Sequence, residues 1–249
     1  MHEVPDTLAI DVVLLPPGPI MEMAIGANRT LLAGNPGGGI RLDGEDCLPH
    51  VSVAMLPARR EDMPEIIAKM DRIVRRCSPM TMTIDAVAKH RSSTGETVSA
   101  FHILRAEILA LFHKTVMNVL APYATLPAGP PIFFEEASAP SIDCFLRFPE
   151  TSAYERYSPH ITLGFGDLPE LLPGIDLPVR FEVTKAAICH LGSHCTCRRI
   201  IAGFEDISSG VIMIDGKDTV SVAANARPTN MVFQSYAIFP HMSVEKNIA

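Results

Sequence analysis

The hydrophobic and polar positions of this chain follow two spacings, one typical of strands and one typical of helices. Residues 8–15 form an apolar run that contains one acid, Asp11, and ends at two prolines, which predicts a buried strand. In 61–77 the apolar residues recur every three or four positions, which predicts a helix with one buried face. The same criteria predict helices at 19–32, 106–120 and 140–148, and strands at 40–42, 48–56, 80–89, 96–104, 160–165, 179–191 and 195–202.

The order of these elements indicates the fold class. A strand, a helix and further strands lead to a second helix, and a strand pair, a helix and more strands come after it. This order predicts an α+β fold with two similar lobes, in which helices cover curved sheets.

The composition narrows the class of protein. Of the 249 residues, 47% are apolar and 20% are charged, which argues against a disordered chain. A net charge of −7 argues against a large basic nucleic-acid surface, although a small phosphate site remains compatible with it. The sequence has neither a signal-peptide pattern nor an apolar run long enough to span a membrane. We therefore expect a cytoplasmic protein whose six cysteines are reduced.

Two short segments far apart in the chain match each other. LPHVSV at 48–53 and SPHITL at 158–163 share a proline, a histidine, a β-branched residue, a hydroxyl residue and an aliphatic residue, in that order. Alternate residues of a strand share a face, so His50 lies beside Ser52 and His160 beside Thr162, while the residues between them face the core.

Two imidazoles brought together in this way suit acid–base chemistry at a phosphodiester. One imidazole can take a proton from water and the other can protonate the leaving oxygen, while the two hydroxyls bind phosphoryl oxygens. This chemistry requires no metal and no cofactor. The alternative is a pair of ordinary, half-buried strand histidines. A looser match around His241 precedes a helix-cap pattern, and we treat it as a coincidence.

The two motifs are similar to the paired signatures of the 2H phosphoesterase superfamily, which includes the 2′-5′ RNA ligases and RNA 2′,3′-cyclic phosphodiesterases. The resemblance extends over about residues 7–200, and we predict such a domain at 1–199. It implies pseudo-symmetric lobes of antiparallel sheet around a central cleft, with His50 and His160 as the acid–base pair and Ser52 and Thr162 as phosphate ligands. It also implies that an RNA end or a small nucleotide with a cyclic or 2′-5′ phosphodiester is hydrolysed or, in reverse, ligated.

Two arginines and a cysteine–histidine cluster are further candidates. Arg198, and with similar standing Arg105, could reach an anionic substrate, whereas a solvated ion pair is the commoner role for such residues. His190, His194, Cys195 and Cys197 are zinc-type ligands, but the usual paired-cysteine spacing is missing. We therefore predict no metal site there and expect the cysteines to pack beneath the sheet.

The last fifth of the sequence differs from the rest. From about residue 200 it closely resembles part of an ABC-importer ATPase, in which Gln234 matches the Q-loop glutamine. The phosphate-binding loop of that family needs a lysine, and LGSHCT at 191–196 has none. We predict that 200–249 is an incomplete ATPase fragment and a loosely attached tail.

Two alternatives to a phosphoesterase remain open from the sequence. The first is an ATP-binding subunit of an ABC importer, which the missing lysine argues against. The second is a non-catalytic protein that keeps the fold and binds an RNA end or a nucleotide without turning it over.

Overall fold

The computed structural model describes residues 7–92, 94–124, 129–170, 172–205, 213–214 and 217–218. Contacts within the chain divide it into two units, Met1–Asp206 and Ile207–Ala249. The described part of the second unit is an antiparallel strand pair, Met213–Ile214 and Lys217–Asp218. Gln234, His241 and most of the predicted tail lie outside the described residues. The predicted boundary at residue 199 falls within the strand Cys197–Glu205. The domain limits stay a prediction.

The first unit contains five α-helices and eight strands among its described residues. The strands are β1 Thr7–Leu15, β2 Val51–Arg59, β3 Met80–Arg91, β4 Thr97–Ile103, β5 His160–Phe165, β6 Val179–Val183, β7 Lys185–Leu191 and β8 Cys197–Glu205. The helices are α1 Gly18–Gly34, α2 Met63–Val74, α3 Glu107–Leu120, α4 Ala139–Leu146 and α5 Phe148–Thr151. The predicted α+β class is confirmed.

The eight strands form two four-stranded antiparallel sheets. The first sheet has the strand order β2-β1-β7-β8, and the second has the order β5-β4-β3-β6. β2 begins just after His50, and β5 begins at His160. Both are edge strands of their sheets, and they contact each other. The two motifs therefore lie where the sheets meet.

Burial explains the strands predicted around β1 and β5. All nine residues of β1 are buried, as expected for a central strand covered on both faces. On β5 the fully buried Ile161 and Leu163 alternate with the partly exposed His160 and Thr162. That period of two directs one set of side chains into the core and the other to the opposite face.

Two strand predictions are wrong for identifiable reasons. The apolar segment 40–42 forms no strand, because the Asn28 side chain takes the hydrogen bonds of its backbone: Nδ2 donates to the Ile40 carbonyl at 3.0 Å, and Oδ1 accepts from the Leu42 N–H at 3.0 Å. The segment 179–191 is two strands, because the chain leaves the second sheet at Val183 and enters the first at Lys185. Buried residues lie on both sides of Thr184, so the apolar pattern does not mark the break.

One pair of cysteines contradicts the expectation of reduced thiols. Cys189 on β7 and Cys197 on β8 form a disulfide with their Cα atoms 5.6 Å apart. The two strands are antiparallel neighbours, and irregularities in their register bring the two side chains together. The other four cysteines form no disulfide.

Candidate active site

His50 stands immediately before β2, where its ring is fixed by its own segment. Its Nδ1 lies 2.7 Å from the carbonyl oxygen of Leu48, two residues earlier. A carbonyl oxygen only accepts hydrogen bonds, so Nδ1 carries the hydrogen and Nε2 of the neutral ring keeps its lone pair. The intervening proline, Pro49, favours the extended backbone on which this short bond depends.

His160, the first residue of β5, is fixed in the same way. Its Nδ1 lies 2.8 Å from the carbonyl oxygen of Ser158, and Pro159 separates the two residues. Nε2 is therefore the ring nitrogen with the lone pair here as well. The repeated sequence motif thus produces a repeated hydrogen bond, and both imidazoles have the same tautomer.

The two motifs are joined where the sheets meet. Val51 and Ile161 are both fully buried, as predicted, so the histidines and hydroxyl residues on either side of them face away from the core. The Tyr157 hydroxyl, from the segment that leads into β5, donates to the Ser52 carbonyl on β2 at 3.0 Å. This bond ties the approach to one motif directly to the backbone of the other.

Burial strongly affects both imidazoles. Burial is the main cause that lowers the pKa of His50 to about 4, and the nearby His160 acts in the same direction. The hydrogen bond to the Leu48 carbonyl partly opposes this effect. Burial likewise lowers the pKa of His160, and repulsion from His90 and His102 acts in the same direction. Both rings are therefore neutral at pH 7 when the site holds no anion.

The hydroxyl residues accompany the histidines at a spacing of two. Ser52 pairs with Val13 across the first sheet, and Thr162 pairs with Ala100 across the second. Both residues are partly exposed, and each shares a strand face with its histidine. Each sheet therefore presents one imidazole and one hydroxyl, as the sequence predicted.

A buried carboxyl lies behind Ser52 and was not recognised from the sequence. Asp11 on β1 is fully buried, and among the described residues neither of its oxygens has a hydrogen-bond partner in good geometry. Burial raises its pKa to about 7, an effect that the neighbouring Ser52 hydroxyl and the backbone N–H groups of Val53 and Ala54 only partly oppose. The acid that interrupts the apolar run of β1 was the signal for it.

The second sheet carries two more histidines beside His160. His102 on β4 is the direct neighbour of His160 in the strand register, and its Nδ1 lies 2.6 Å from Asp85 Oδ1 on β3. The His90 ring contacts the His160 ring edge-on, with centroids 5.5 Å apart. The sequence reasoning missed both residues, because only the folded chain brings them together.

The two predicted arginines bind other groups. Arg105 donates to the backbone carbonyls of Tyr154 and Glu155 at 2.8 and 2.9 Å, and so holds the turn before β5. Arg198 forms an ion pair with Glu135 at 3.5 Å, and its stem packs against Gly192. The ion-pair alternative thus describes Arg198, and Arg105 acts on the site through the backbone that leads to His160.

The cysteine–histidine cluster is dispersed by the fold. His190 Nε2 contacts the Ile132 carbonyl at 2.9 Å, Cys197 is in the disulfide, and Cys195 faces Ser141 of α4. Within the described ranges, three or more potential metal ligands do not come together anywhere. Nor does any helix in those ranges have the length and apolar character needed to cross a membrane.

Comparison with curated proteins finds relatives of one fragment. No family model matches the chain. The chain is 56% identical over 54 residues to the spermidine/putrescine import ATP-binding protein PotA of Haemophilus ducreyi. The aligned residues make up 22% of this chain and 15% of that protein. The chain is 57% identical over 79 residues to PotA of Thermobifida fusca, covering 30% of this chain and 20% of that protein. The chain thus spans a fifth or less of the length of these relatives, and the predicted resemblance to an importer ATPase fragment is confirmed.

Comparison with solved structures finds a likeness over most of the chain. TT0787 of Thermus thermophilus has a TM-score of 0.46 and 15% identity, covering 80% of this chain and 97% of that one. E. coli LigT complexed with NADP+ has a TM-score of 0.49 and 14% identity, covering 80% and 98%. Another similar structure is described as a phosphoesterase, with a TM-score of 0.46. A likeness of this degree assigns no reaction. Over four fifths of its length the chain is similar to LigT and phosphoesterase structures, and over a shorter fragment it is similar to importer ATP-binding proteins.

Proposed function

We propose that this chain is a phosphoesterase that hydrolyses, or in reverse ligates, a 2′,3′-cyclic or 2′-5′ phosphodiester of an RNA end or a small nucleotide. The observation that carries the proposal is the matched pair of imidazoles. In each, Nδ1 is bound to the carbonyl two residues earlier, so that Nε2 is left to accept or donate a proton. A hydroxyl follows two residues after each histidine.

The reaction needs two proton transfers on opposite sides of one phosphorus atom. In hydrolysis, Nε2 of one imidazole takes a proton from water as the water oxygen bonds to phosphorus. The other imidazole, in its protonated form, gives a proton to the ribose oxygen as the bond between phosphorus and that oxygen breaks. The product is a phosphomonoester with a new ribose hydroxyl. Ser52 and Thr162 would donate hydrogen bonds to the non-bridging oxygens, and none of these steps calls on a metal.

Protonation of the acid depends on the substrate. The pKa values of His50 and His160 are lowered mainly by burial, so one ring is ready to act as the base at pH 7. A phosphodiester anion beside the rings favours the charged form of an imidazole and so raises its pKa. We therefore expect substrate binding itself to protonate the second ring.

The two other functions are weaker candidates. The importer-like fragment lacks the lysine of a phosphate-binding loop at the matching position, so ATP hydrolysis has little support. A non-catalytic protein that binds a nucleotide or an RNA end would use the same two motifs, and only turnover separates it from the enzyme. The cytoplasmic location expected from the sequence remains part of this proposal.

The test is hydrolysis of a nucleoside 2′,3′-cyclic phosphate and of a 2′-5′ dinucleotide in the presence of a chelator. His50→Ala and His160→Ala are compared with the intact chain, and each should lower kcat/KM by about 10²-fold or more. His190→Ala is the matched control, because that ring binds the Ile132 carbonyl and belongs to neither motif. Circular dichroism verifies that every variant is folded.

The outcomes separate the candidate functions. Loss of activity in both motif variants, but not in His190→Ala, supports the acid–base pair. Equal activity in all four proteins overturns that assignment. Binding of the nucleotides without turnover by the intact chain overturns the enzyme and favours the non-catalytic protein.

A further inference from the structure

An inner strand of the second sheet, β4, carries a histidine that faces the proposed site. On β4, Phe101 and Ile103 are fully buried, so His102 between them points to the opposite face. In the register, His102 pairs with His160 and Ala100 pairs with Thr162. His102 therefore shares a face with both members of the β5 motif.

This histidine is close to the atoms that the proposed reaction uses. Residues directly opposite in an antiparallel pair have their Cβ atoms about 4.5–5.5 Å apart. Two imidazoles at that separation can contact the same phosphate group, since each side chain extends several ångströms from the backbone. In keeping with this proximity, His102 contributes to lowering the pKa of His160.

A carboxylate holds the ring of His102. Asp85 lies at an irregularity in the register between β3 and β4, and its Oδ1 is 2.6 Å from Nδ1 of His102. An ionised carboxylate only accepts, so Nδ1 of His102 donates this hydrogen bond. The side chains of His102 and Asp85 are 35% and 32% exposed, so Nε2 can reach a ligand.

This partner distinguishes His102 from the motif histidines. The Nδ1 atoms of His50 and His160 are bound to neutral carbonyls, whereas that of His102 is bound to a carboxylate. A phosphodiester brings a negative charge into a partly buried site, and that charge requires a cation nearby. The two arginines considered from the sequence, Arg105 and Arg198, bind backbone carbonyls and a glutamate instead.

We infer that His102, held by Asp85, is a further substrate-binding residue whose protonated ring binds a phosphate oxygen beside His160. The inference rests on the proposed function for the place of the phosphate, and it adds a second cationic group to the protonated motif imidazole. His102 would donate from Nε2 to the phosphate and from Nδ1 to Asp85, so that phosphate, imidazolium and carboxylate form one chain of charge-assisted hydrogen bonds. No covalent step is assigned to His102.

The test measures binding of inorganic phosphate, which does not depend on turnover. Dissociation constants are determined by NMR titration of the full chain and of His102→Gln and Asp85→Asn. Asp71→Asn is the matched control: Asp71 accepts from Arg75 at 2.7 Å, its side chain is 37% exposed, and it belongs to α2 rather than to the second sheet. We expect both site variants to weaken phosphate binding about tenfold and the control to leave it unchanged.

The outcomes distinguish this inference from the proposed function. Unchanged phosphate affinity in either site variant, or no phosphate binding by the intact chain at millimolar concentration, overturns the inference even if the chain hydrolyses cyclic phosphates. Weakened binding in both variants supports it even if the chain hydrolyses nothing, in which case the proposed function fails alone. Unchanged NMR dispersion verifies that the variants are folded.

Discussion

Replacing Asp11 with asparagine is expected to change how the stability of this protein depends on pH. Asp11 is fully buried on β1, and burial raises its pKa from an ordinary value of 3.8 to about 7. Asparagine has nearly the same shape and cannot ionise. The substitution therefore removes the titration of this group and leaves the packing of the sheet almost unchanged.

The sign and magnitude follow from the two pKa values. The folded state holds the Asp11 proton more tightly than the unfolded state, so the contribution of Asp11 to stability is most favourable below about pH 3.8 and declines as the pH rises to about 7. The difference between the two pKa values, at about 1.4 kcal/mol per pH unit, corresponds to about 4 kcal/mol. Between about pH 5 and about pH 8.5 the decline amounts to about 3 kcal/mol.

The assay is urea unfolding of the full chain and of Asp11→Asn at those two pH values. Other groups also titrate in this range, so the measured quantity is the difference between the two proteins in the free energy of unfolding. That difference should shift by about 3 kcal/mol in favour of Asp11→Asn as the pH rises. Asp46→Asn, at an exposed position, controls for the loss of one charge.

The result that refutes this reasoning is a difference that stays constant with pH. It would mean that Asp11 is ionised in the folded protein at pH 5, and hence that hydrogen bonds or water compensate its burial. A constant offset in stability does not bear on the argument, because the amide of asparagine also needs partners.

Two further predictions concern the imidazoles and the disulfide. NMR titration should find the His50 ring neutral down to about pH 4. Added phosphate should raise the pKa of His50, because an anion favours the charged ring. A pKa of 6.5 or above without phosphate would contradict the effect of burial on this ring. Cys197→Ala should lower the free energy of unfolding by about 2–3 kcal/mol, because the cross-link to Cys189 closes a loop with a sequence separation of 8; equal stability with and without a reducing agent would show that the bond contributes nothing.

The local pattern of the sequence specifies much of this fold. The apolar run of β1 and the three-and-four spacing of α2 define their elements, because burial of one face or of both dominates the energy of such segments. The repeated motif around His50 and His160 also specifies its own geometry, since a proline and a carbonyl two residues earlier are enough to orient each ring. Such features depend on neighbours in the chain and can therefore be recognised from them.

The surroundings of those motifs depend on contacts between distant segments. Sequence periodicity does not reveal that Asn28 replaces a strand partner for Ile40, or that one apolar run is divided between two sheets at Thr184. Nor does it reveal the pairing of His102 with Asp85 and His160, which depends on the register of three strands, one of them distant in the chain from the other two. Most strands and helices could be predicted from the residues alone, because those are local preferences. Which charges share one face became known only from the folded chain, because electrostatic interactions depend on distances that register and sheet order set.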